Sequence, residues 1–310
     1  MTSVTGQATD IFDLVEYATV RGVRTSLTPS ATPLLTHEAI AELQRRGLAR
    51  LAVSLDGPTA ENHDAFRRVP GSYEWTLHAV RWAREVGLPV QINTTITRRN
   101  LAGFDDMARL LETLDITMWS VFFLVPIGRG QLDDLISADD FEAVFARLHQ
   151  VAGRARFDIK TTEAPHYRRY ILQMRAAARR NWGLSNDSMS SPTQEIYNEI
   201  AIENHADGIG LVPRGLNDGK GFIFISHLGE VFPSGFLPMS AGNVRRQTLA
   251  EIYQNSPLFV SLRDASRLQG KCGVCEFRNV CGGSRARAFA LTGNPFAEEP
   301  CCVYKPKVTA

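Results

Sequence analysis

The sequence predicts an α/β fold of βα units from a parallel sheet or barrel, followed by a smaller domain of mixed structure. From residue 10 to about 150, helix-like and strand-like segments alternate with a period of about 30 residues. Further along, the chain becomes rich in glycine and proline and carries all five of its cysteines. We therefore divide it into a barrel-like domain at 1–165, a helix and linker at 166–205, and a cysteine-containing domain at 206–310. A main boundary near 205 is the alternative to one near 165.

The elements of the first domain follow from apolar periodicity and from signals at their ends. Thr36 is suited to cap the start of one helix, and Gly87 to end another. The predicted helices are 10–22, 36–47, 71–87, 100–115 and 137–155. The predicted strands are 23–30, 48–57, 89–97 and 117–130. The last strand is mostly apolar, so we expect it to be buried on both faces.

The rest of the chain is less periodic. Residues 156–205 contain a basic helix and then a polar stretch that is typical of a linker. GFIFISHLGEVFPSG predicts a β-hairpin that turns at Leu228-Gly229. A single helix over 248–264 is expected to lead into the cysteines.

Composition narrows the class of protein. The net charge of +1 provides no basic field for nucleic acid or an anionic membrane, so we expect neither as a partner. The apolar runs are too short to span a bilayer, and the first residues do not resemble a signal peptide. A cytoplasmic location is therefore expected, where thiols stay reduced and clustered cysteines bind metal more often than they form disulfides.

The cysteines have the spacing of a metal site. KCGVCEFRNVC holds Cys272, Cys275 and Cys281 as C-x2-C-x5-C, and Cys301 and Cys302 follow further along. Four thiolates can bind either zinc or an iron–sulfur cluster, and the spacing does not separate the two. Adjacent cysteines cannot easily bind one ion, so we predict Cys301 as the fourth ligand and keep Cys302 as the alternative.

Longer stretches resemble a known family. SLDGPTAENHDAFRRVPGSYEWTLHAV is similar to the segment after the fourth barrel strand of radical SAM enzymes. GEVFPSGFLPMSAGNVR, KCGVCEFRNVCGGSRARAFALTG and EEPCCVY resemble the C-terminal extension of the SPASM or twitch subgroup, which holds an auxiliary [4Fe-4S] cluster. The sequence of this extension is most similar to the sequences of radical SAM proteins of haem biosynthesis. The resemblance covers nearly the whole chain from residue 10 and favours iron–sulfur over zinc.

The resemblance implies a partial (β/α)6 barrel, lacking its first strand or strands, plus a small α+β SPASM/twitch domain. It also implies S-adenosylmethionine at the carboxyl ends of the strands and 5′-deoxyadenosyl radical chemistry. By this resemblance the cofactor-binding residues are Ser54, Asp56, Asn93 and Arg129, the last in the PIGRG loop. The alternatives are a turn role for Asp56, barrel packing for Asn93 and a plain Gly-rich turn at PIGRG. We expect His63 and Asp64 to fix their own loop.

One family feature is missing. Radical SAM enzymes bind their catalytic cluster through C-x3-C-x2-C after the first strand, and this sequence contains no such motif. We therefore expect the chain to begin inside the barrel and to be inactive in cofactor cleavage as it stands. An incorrect gene start or a split gene is the preferred explanation, and a genuinely short product is the other.

Three function classes remain open. The first is a radical SAM/SPASM oxidoreductase acting on a haem precursor or a peptide, supplied by an electron donor. Arg168, Arg175 and Arg179 lie at helical spacing and could meet a carboxylate-rich substrate, although a solvated helix face explains them as well. The second class is a non-catalytic iron–sulfur electron-transfer or binding protein. The third is a zinc-stabilised barrel protein.

Overall fold

The computed structural model describes residues 10–128, 130–181 and 217–307. These residues form two compact units. The first comprises Met1–Phe122 and Gln150–Lys160 as far as they are described, and the second Phe123–His149 and the described residues from Thr161 onward. The predicted domain boundary near 165 stays a prediction, and most of the predicted linker lies outside the described residues.

A five-stranded sheet confirms the α/β prediction. Its strands follow one another in chain order: β1 Ser26–Leu27, β2 Arg50–Ser54, β3 Val90–Ile96, β4 Met118–Phe123 and β5 Asp158–Thr162. The pairs β1–β2 and β2–β3 are parallel, and Ser54 lies opposite Asn93 in the register. Because parallel strands end at the same edge, the last residues of β2 and β3 are neighbours.

The first seven helices precede, separate and follow these strands, with two of them between β2 and β3. They are α1 Ile11–Val20, α2 His37–Arg45, α3 Ala60–Arg67, α4 Ser72–Glu85, α5 Phe104–Thr113, α6 Ala138–Ala152 and α7 His166–Asn181. The predicted caps are confirmed: the Thr36 hydroxyl accepts the Ala39 N–H at 3.2 Å, and Gly87 adopts a φ of 72° just after α4.

Among the strands of this sheet and the helices between them, two elements were absent from the predictions. Helix α3 buries only His63, so its sequence carries no apolar stripe. Every residue of β5 is half-buried, so the strand has no alternation to detect. The fourth strand ends at Phe123 and not near residue 130, because the chain turns after its buried segment.

The two faces of β3 differ. Val90, Ile92, Thr94 and Ile96 are buried, while Gln91, Asn93 and Thr95 are half-buried. The Trp119 ring of β4 is fully buried and donates its indole N–H to the Thr94 hydroxyl at 2.9 Å. One face of β3 therefore packs as core, and the other carries a row of polar side chains.

The second unit contains a small antiparallel sheet of β6 Phe224–Ile225, β7 Glu230–Phe232 and β8 Gly242–Asn243. The predicted hairpin is confirmed, with Gly229 at a φ of 85° in its turn. The single helix predicted over 248–264 is wrong: the chain forms α8 Leu249–Asn255 and α9 Pro257–Arg263. Pro257 begins a new helix because its ring cannot continue the preceding one.

Two short helices complete the described second unit, α10 Gly270–Val274 and α11 Arg285–Thr292. They flank the segment that contains Cys275 and Cys281. Within the described ranges, no helix combines the length and the apolar composition that crossing a membrane requires.

Candidate iron–sulfur and cofactor sites

Four of the five cysteines line one open pocket in the second unit, which we call the cysteine pocket. The four are Cys272, Cys275, Cys281 and Cys302. The other side chains used below that line it are His166, Arg169, Glu299 and Tyr304. Cys301 is only 5% exposed and is not among the lining residues. The pocket thus joins the α10 region to the C-terminal segment, as the sequence spacing predicts.

Each thiol of the pocket accepts a backbone N–H. The donors to Cys272, Cys275, Cys281 and Cys302 are, in that order, Glu299 at 3.3 Å, Phe277, Gly283 at 3.4 Å and Tyr304. Three of these donors lie two residues after the cysteine that they bond, so the local turn aims the N–H at the sulfur. Such bonds favour the thiolate over the thiol, and hydrogen bonds to sulfur help to set the potential of a bound cluster.

Burial acts in the opposite direction. It raises the pKa of Cys281 to about 12 and also raises the pKa of Cys275 and Cys302. On their own, these thiols are therefore protonated near neutral pH. A cationic metal centre reverses this preference, because its charge stabilises the thiolates that bind it. Four thiols in one pocket, each with an N–H donor, fit a four-cysteine cluster.

Cys301 has a different environment from its neighbour Cys302. Its backbone N–H donates to Glu299 Oε1 at 3.0 Å, and its thiol interacts with the Arg287 side chain. Burial raises the pKa of Cys301 to about 11. No three His, Cys, Asp or Glu side chains among the described residues surround a single ion position. The argument that a cluster fits here therefore rests on the shared pocket and on its N–H donors.

A buried ion pair supports one wall of the pocket. Arg287 Nε lies 2.8 Å from Glu299 Oε1, and Arg287 Nη2 lies 3.0 Å from Oε2, so the pair is bidentate. Arg287 also donates to the Glu163 carbonyl at 2.7 Å, and its guanidinium covers the Phe141 ring at 4.7 Å. Burial raises the pKa of Glu299, but the Arg287 and His166 charges and the hydrogen bonds from Arg287 and the Cys301 N–H together lower it to about 2. The carboxylate is therefore ionised where it lines the pocket.

In the first unit, the residues predicted to bind S-adenosylmethionine lie in two environments. Ser54 and Asn93 are half-buried and adjacent in the register of β2 and β3, and Asn93 Oδ1 accepts a hydrogen bond from Gln91 at 2.6 Å. Asp56 is fully buried, accepts the Thr95 N–H at 2.7 Å and forms an ion pair with Arg67. Arg129 lies outside the described residues. The cofactor roles of all four stay predictions.

The loop after β2 is fixed by its own polar residues, as predicted for His63 and Asp64. The Asp56 N–H donates to His63 Nδ1 at 3.0 Å. Asp64 accepts the N–H groups of Gly71 and Tyr73 at 2.6 and 2.8 Å, at the start of α4. Burial, assisted by the Arg67 charge, lowers the pKa of His63 to about 4, so its Nδ1 remains an acceptor at neutral pH.

Some lining residues of the cysteine pocket carry no sequence signal. His166 and Arg169 precede Cys272 by about a hundred residues, and nothing in their local sequence connects them with the cysteines. Glu299 was also missed, although it adjoins the CC pair. Arg168, which was considered for substrate carboxylates, donates to the Val280 carbonyl at 3.0 Å.

Comparison with known proteins places this pocket and sheet in a family. The profile of the Radical SAM superfamily matches residues 2–111, and that of SPASM, an iron–sulfur cluster-binding domain, matches residues 217–276. The chain is 40% identical to AdoMet-dependent heme synthase of Methanosarcina barkeri over 297 residues, covering 96% of this chain and 79% of that protein. It belongs to the radical SAM superfamily, in the group with a SPASM domain. The cofactors of such enzymes are [4Fe-4S] clusters and S-adenosylmethionine.

More distant relatives act on other molecules. A PqqA peptide cyclase of Rhodopseudomonas palustris is 27% identical over 306 residues, covering 96% of this chain and 71% of its own. The solved structure of Streptococcus suis SuiB bound to S-adenosylmethionine matches with a TM-score of 0.67 at 14% identity. This likeness shows the fold. It covers 96% of this chain and 64% of SuiB.

Proposed function

We propose that this chain is a radical SAM enzyme with an auxiliary cluster, and that it acts on a haem precursor, a tetrapyrrole carrying carboxylates. The observation that carries the proposal is the 40% identity to AdoMet-dependent heme synthase, which extends over both units. The four-cysteine pocket supports it, because it supplies the ligands that the SPASM group requires. An enzyme of this kind needs an electron donor, and we propose a cytoplasmic location.

Within this proposal, Cys272, Cys275, Cys281 and Cys302 hold the auxiliary [4Fe-4S] cluster. We prefer Cys302 to Cys301 because Cys302 lines the pocket and accepts the Tyr304 N–H, whereas the Cys301 thiol interacts with Arg287. When bound, the cofactors of the family supply electron transfer and hydrogen-atom abstraction.

The protein's own side chains position S-adenosylmethionine, the second cofactor of the proposed enzyme. Ser54 and Asn93 lie side by side at the end of β2 and β3, where they can hydrogen-bond the polar parts of S-adenosylmethionine. Asp56 contributes by holding the loop through Thr95 and Arg67. By the resemblance of PIGRG, Arg129 is proposed to bind the same cofactor.

The 310 residues contain no C-x3-C-x2-C motif, since all five cysteines follow residue 271. We propose that these residues bind one cluster and do not cleave S-adenosylmethionine without a second cluster site. The alternative is an electron-transfer role for the chain as it stands. A peptide substrate is the second candidate, favoured by the PqqA cyclase relative.

Metal analysis tests the cluster. We expect about four iron and four sulfide per chain after anaerobic reconstitution of the 310-residue protein, the content of one four-cysteine cluster. Stoichiometric zinc without sulfide would contradict the proposal and support a zinc-stabilised barrel.

Binding tests the substrate class. The probe is iron coproporphyrin III, a tetracarboxylate, titrated into the reconstituted protein and followed by its absorption. We expect saturable binding that weakens at least tenfold when the tetramethyl ester replaces the acid, because Arg and Lys side chains recognise carboxylates. Equal affinity for acid and ester, or no saturation, would exclude a carboxylate-recognised tetrapyrrole and favour the peptide candidate.

A further inference from the structure

Helix α7 brings two nitrogen-bearing side chains to the cysteine pocket. His166 and Arg169 are one helical turn apart, so their side chains project from the same face of α7. His166 is 1% exposed and Arg169 is 4% exposed, and both line the pocket beside the thiols. Neither residue belongs to the four-cysteine ligand set.

His166 is held rigidly but has unused hydrogen-bonding groups. Its ring stacks on Phe141, with centroids 5.2 Å apart and planes at 28°, and meets the Phe145 ring edge-on at 4.9 Å. Neither ring nitrogen forms a well-aligned hydrogen bond with the described residues, and the backbone group that the ring meets is that of Cys301. A buried polar group left without a partner costs about 1–3 kcal/mol, so a buried ring without a well-aligned hydrogen bond points to a bound group that the protein chain does not provide.

Arg169 shows the same pattern in part. Its Nη1 donates to Glu142 at 3.1 Å and to Gln173 at 2.8 Å, and the guanidinium lies over the Tyr304 ring at 5.3 Å. These contacts fix the guanidinium plane. Among the described residues, its buried Nε atom has no partner. One N–H of a fixed, charged group is therefore left over beside the pocket.

We propose that His166 and Arg169 donate a ring N–H and the Nε–H to sulfur atoms of the cluster in the cysteine pocket, and so raise its reduction potential. The imidazole carries at least one N–H in either protonation state, and Nε–H is a permanent donor. Donors to sulfur stabilise the reduced cluster most, because that state carries more negative charge. The proposal rests on the proposed auxiliary cluster, and it assigns α7 the role of tuning it.

The test is a redox titration of the reconstituted 310-residue protein at one pH, followed by electron paramagnetic resonance. His166→Phe keeps the ring's packing but removes its N–H, and Arg169→Met removes the Nε donor and the charge. We expect each to lower the midpoint potential, with a change in the reduction equilibrium of up to about tenfold, which is 59 mV for one electron. His166→Gln, which keeps an N–H donor, should recover part of the shift.

The matched controls are His227→Phe, on the exposed hairpin turn, and Arg180→Met, on the exposed side of α7. Both should leave the midpoint unchanged. A second readout uses protein labelled with 15N-histidine: coupling of a ring nitrogen to the reduced cluster is expected, and His166→Phe should abolish it.

The outcomes separate the two proposals. A wild-type protein without iron and sulfide contradicts the auxiliary cluster itself. A loaded wild-type protein whose midpoint is the same in His166→Phe and Arg169→Met overturns the tuning role alone. If the variants lose the cluster, the 15N coupling in the wild type decides, and its absence overturns the role of His166.

Discussion

The loop after β2 in the first unit and the cysteine pocket in the second both contain buried polar residues, but they use them differently. In the loop, Asp56, His63 and Arg67 each bind one another or the nearby backbone, and only the Arg67 Nε lacks a partner among the described residues of this group. In the pocket, the His166 ring forms no well-aligned hydrogen bond, and the Nε of Arg169 has no partner, among the described residues. Because folded chains rarely leave buried polar groups unpaired, the first pattern indicates scaffolding and the second indicates a site completed by a bound group.

The largest expected effect is the loss of the cluster when one of the adjacent cysteines, Cys301 and Cys302, is replaced. Cys302→Ala should lose most of the iron and sulfide, because it removes one of four thiolates from the pocket. Cys301→Ala is the matched control, one residue away and outside the lining, and it should keep about four iron per chain. Iron and sulfide analysis after anaerobic reconstitution measures both. Loss of iron in Cys301→Ala with retention in Cys302→Ala would reverse the ligand assignment.

The ion pair beside the pocket provides the next largest effect. Arg287→Met leaves Glu299 buried without its partner, and breaking such a pair costs about 3–5 kcal/mol. Arg109→Met breaks an exposed pair with Asp106 on α5 and should cost less than about 1 kcal/mol. Urea denaturation of the two variants at matched cluster content measures the free energy of unfolding. Similar losses for both would mean that the pocket wall does not depend on the pair.

The sequence predicted the scaffold better than the site. The alternation of helix-like and strand-like segments in the sequence predicted four of the five strands of the sheet. Buried strands such as β4 were recognised because they are mostly apolar. Helix α3 was not predicted, because most of its residues are polar and its buried residue is a histidine. The cysteines revealed a metal site by spacing, whereas His166 and Arg169 reach it only through the packing of α7. Such long-range packing leaves no periodic signal in the sequence.

The β2 loop offers a test of how tightly its scaffolding packs. A Cβ at Gly57 would lie 2.6 Å from the backbone nitrogen of His63 and 2.7 Å from the Asn62 Cβ. Gly57→Ala should therefore cost about 1–3 kcal/mol, because backbone must move to admit the methyl group. Gly103→Ala is the control, since its Cβ would meet Pro58 at an ordinary 3.4 Å. Three of the four tryptophans lie in the first unit, so their fluorescence during urea denaturation measures both variants. An unchanged Gly57→Ala would mean that the loop is loosely packed.

The smallest expected effect concerns protonation in the same loop. Burial lowers the pKa of His63 to about 4 in the folded chain, against 6.5 for an unperturbed histidine. Between these values the unfolded chain binds the proton more readily, so the contribution of His63 to stability is present above pH 6.5 and declines as the pH falls toward 4. From pH 7 to pH 5 we expect a loss of about 1–2 kcal/mol that is absent in His63→Asn.

His63→Asn is the informative replacement because its amide oxygen can accept the Asp56 N–H in place of Nδ1 but does not titrate. Urea denaturation by tryptophan fluorescence at both pH values gives the comparison. If wild type and His63→Asn lose stability in parallel, His63 is not held as a neutral acceptor. The loop would then resemble the cysteine pocket, where buried polar groups lack hydrogen-bond partners among the described residues. If only the wild type loses stability, the loop is fixed by its own hydrogen bonds and needs no bound group to complete it.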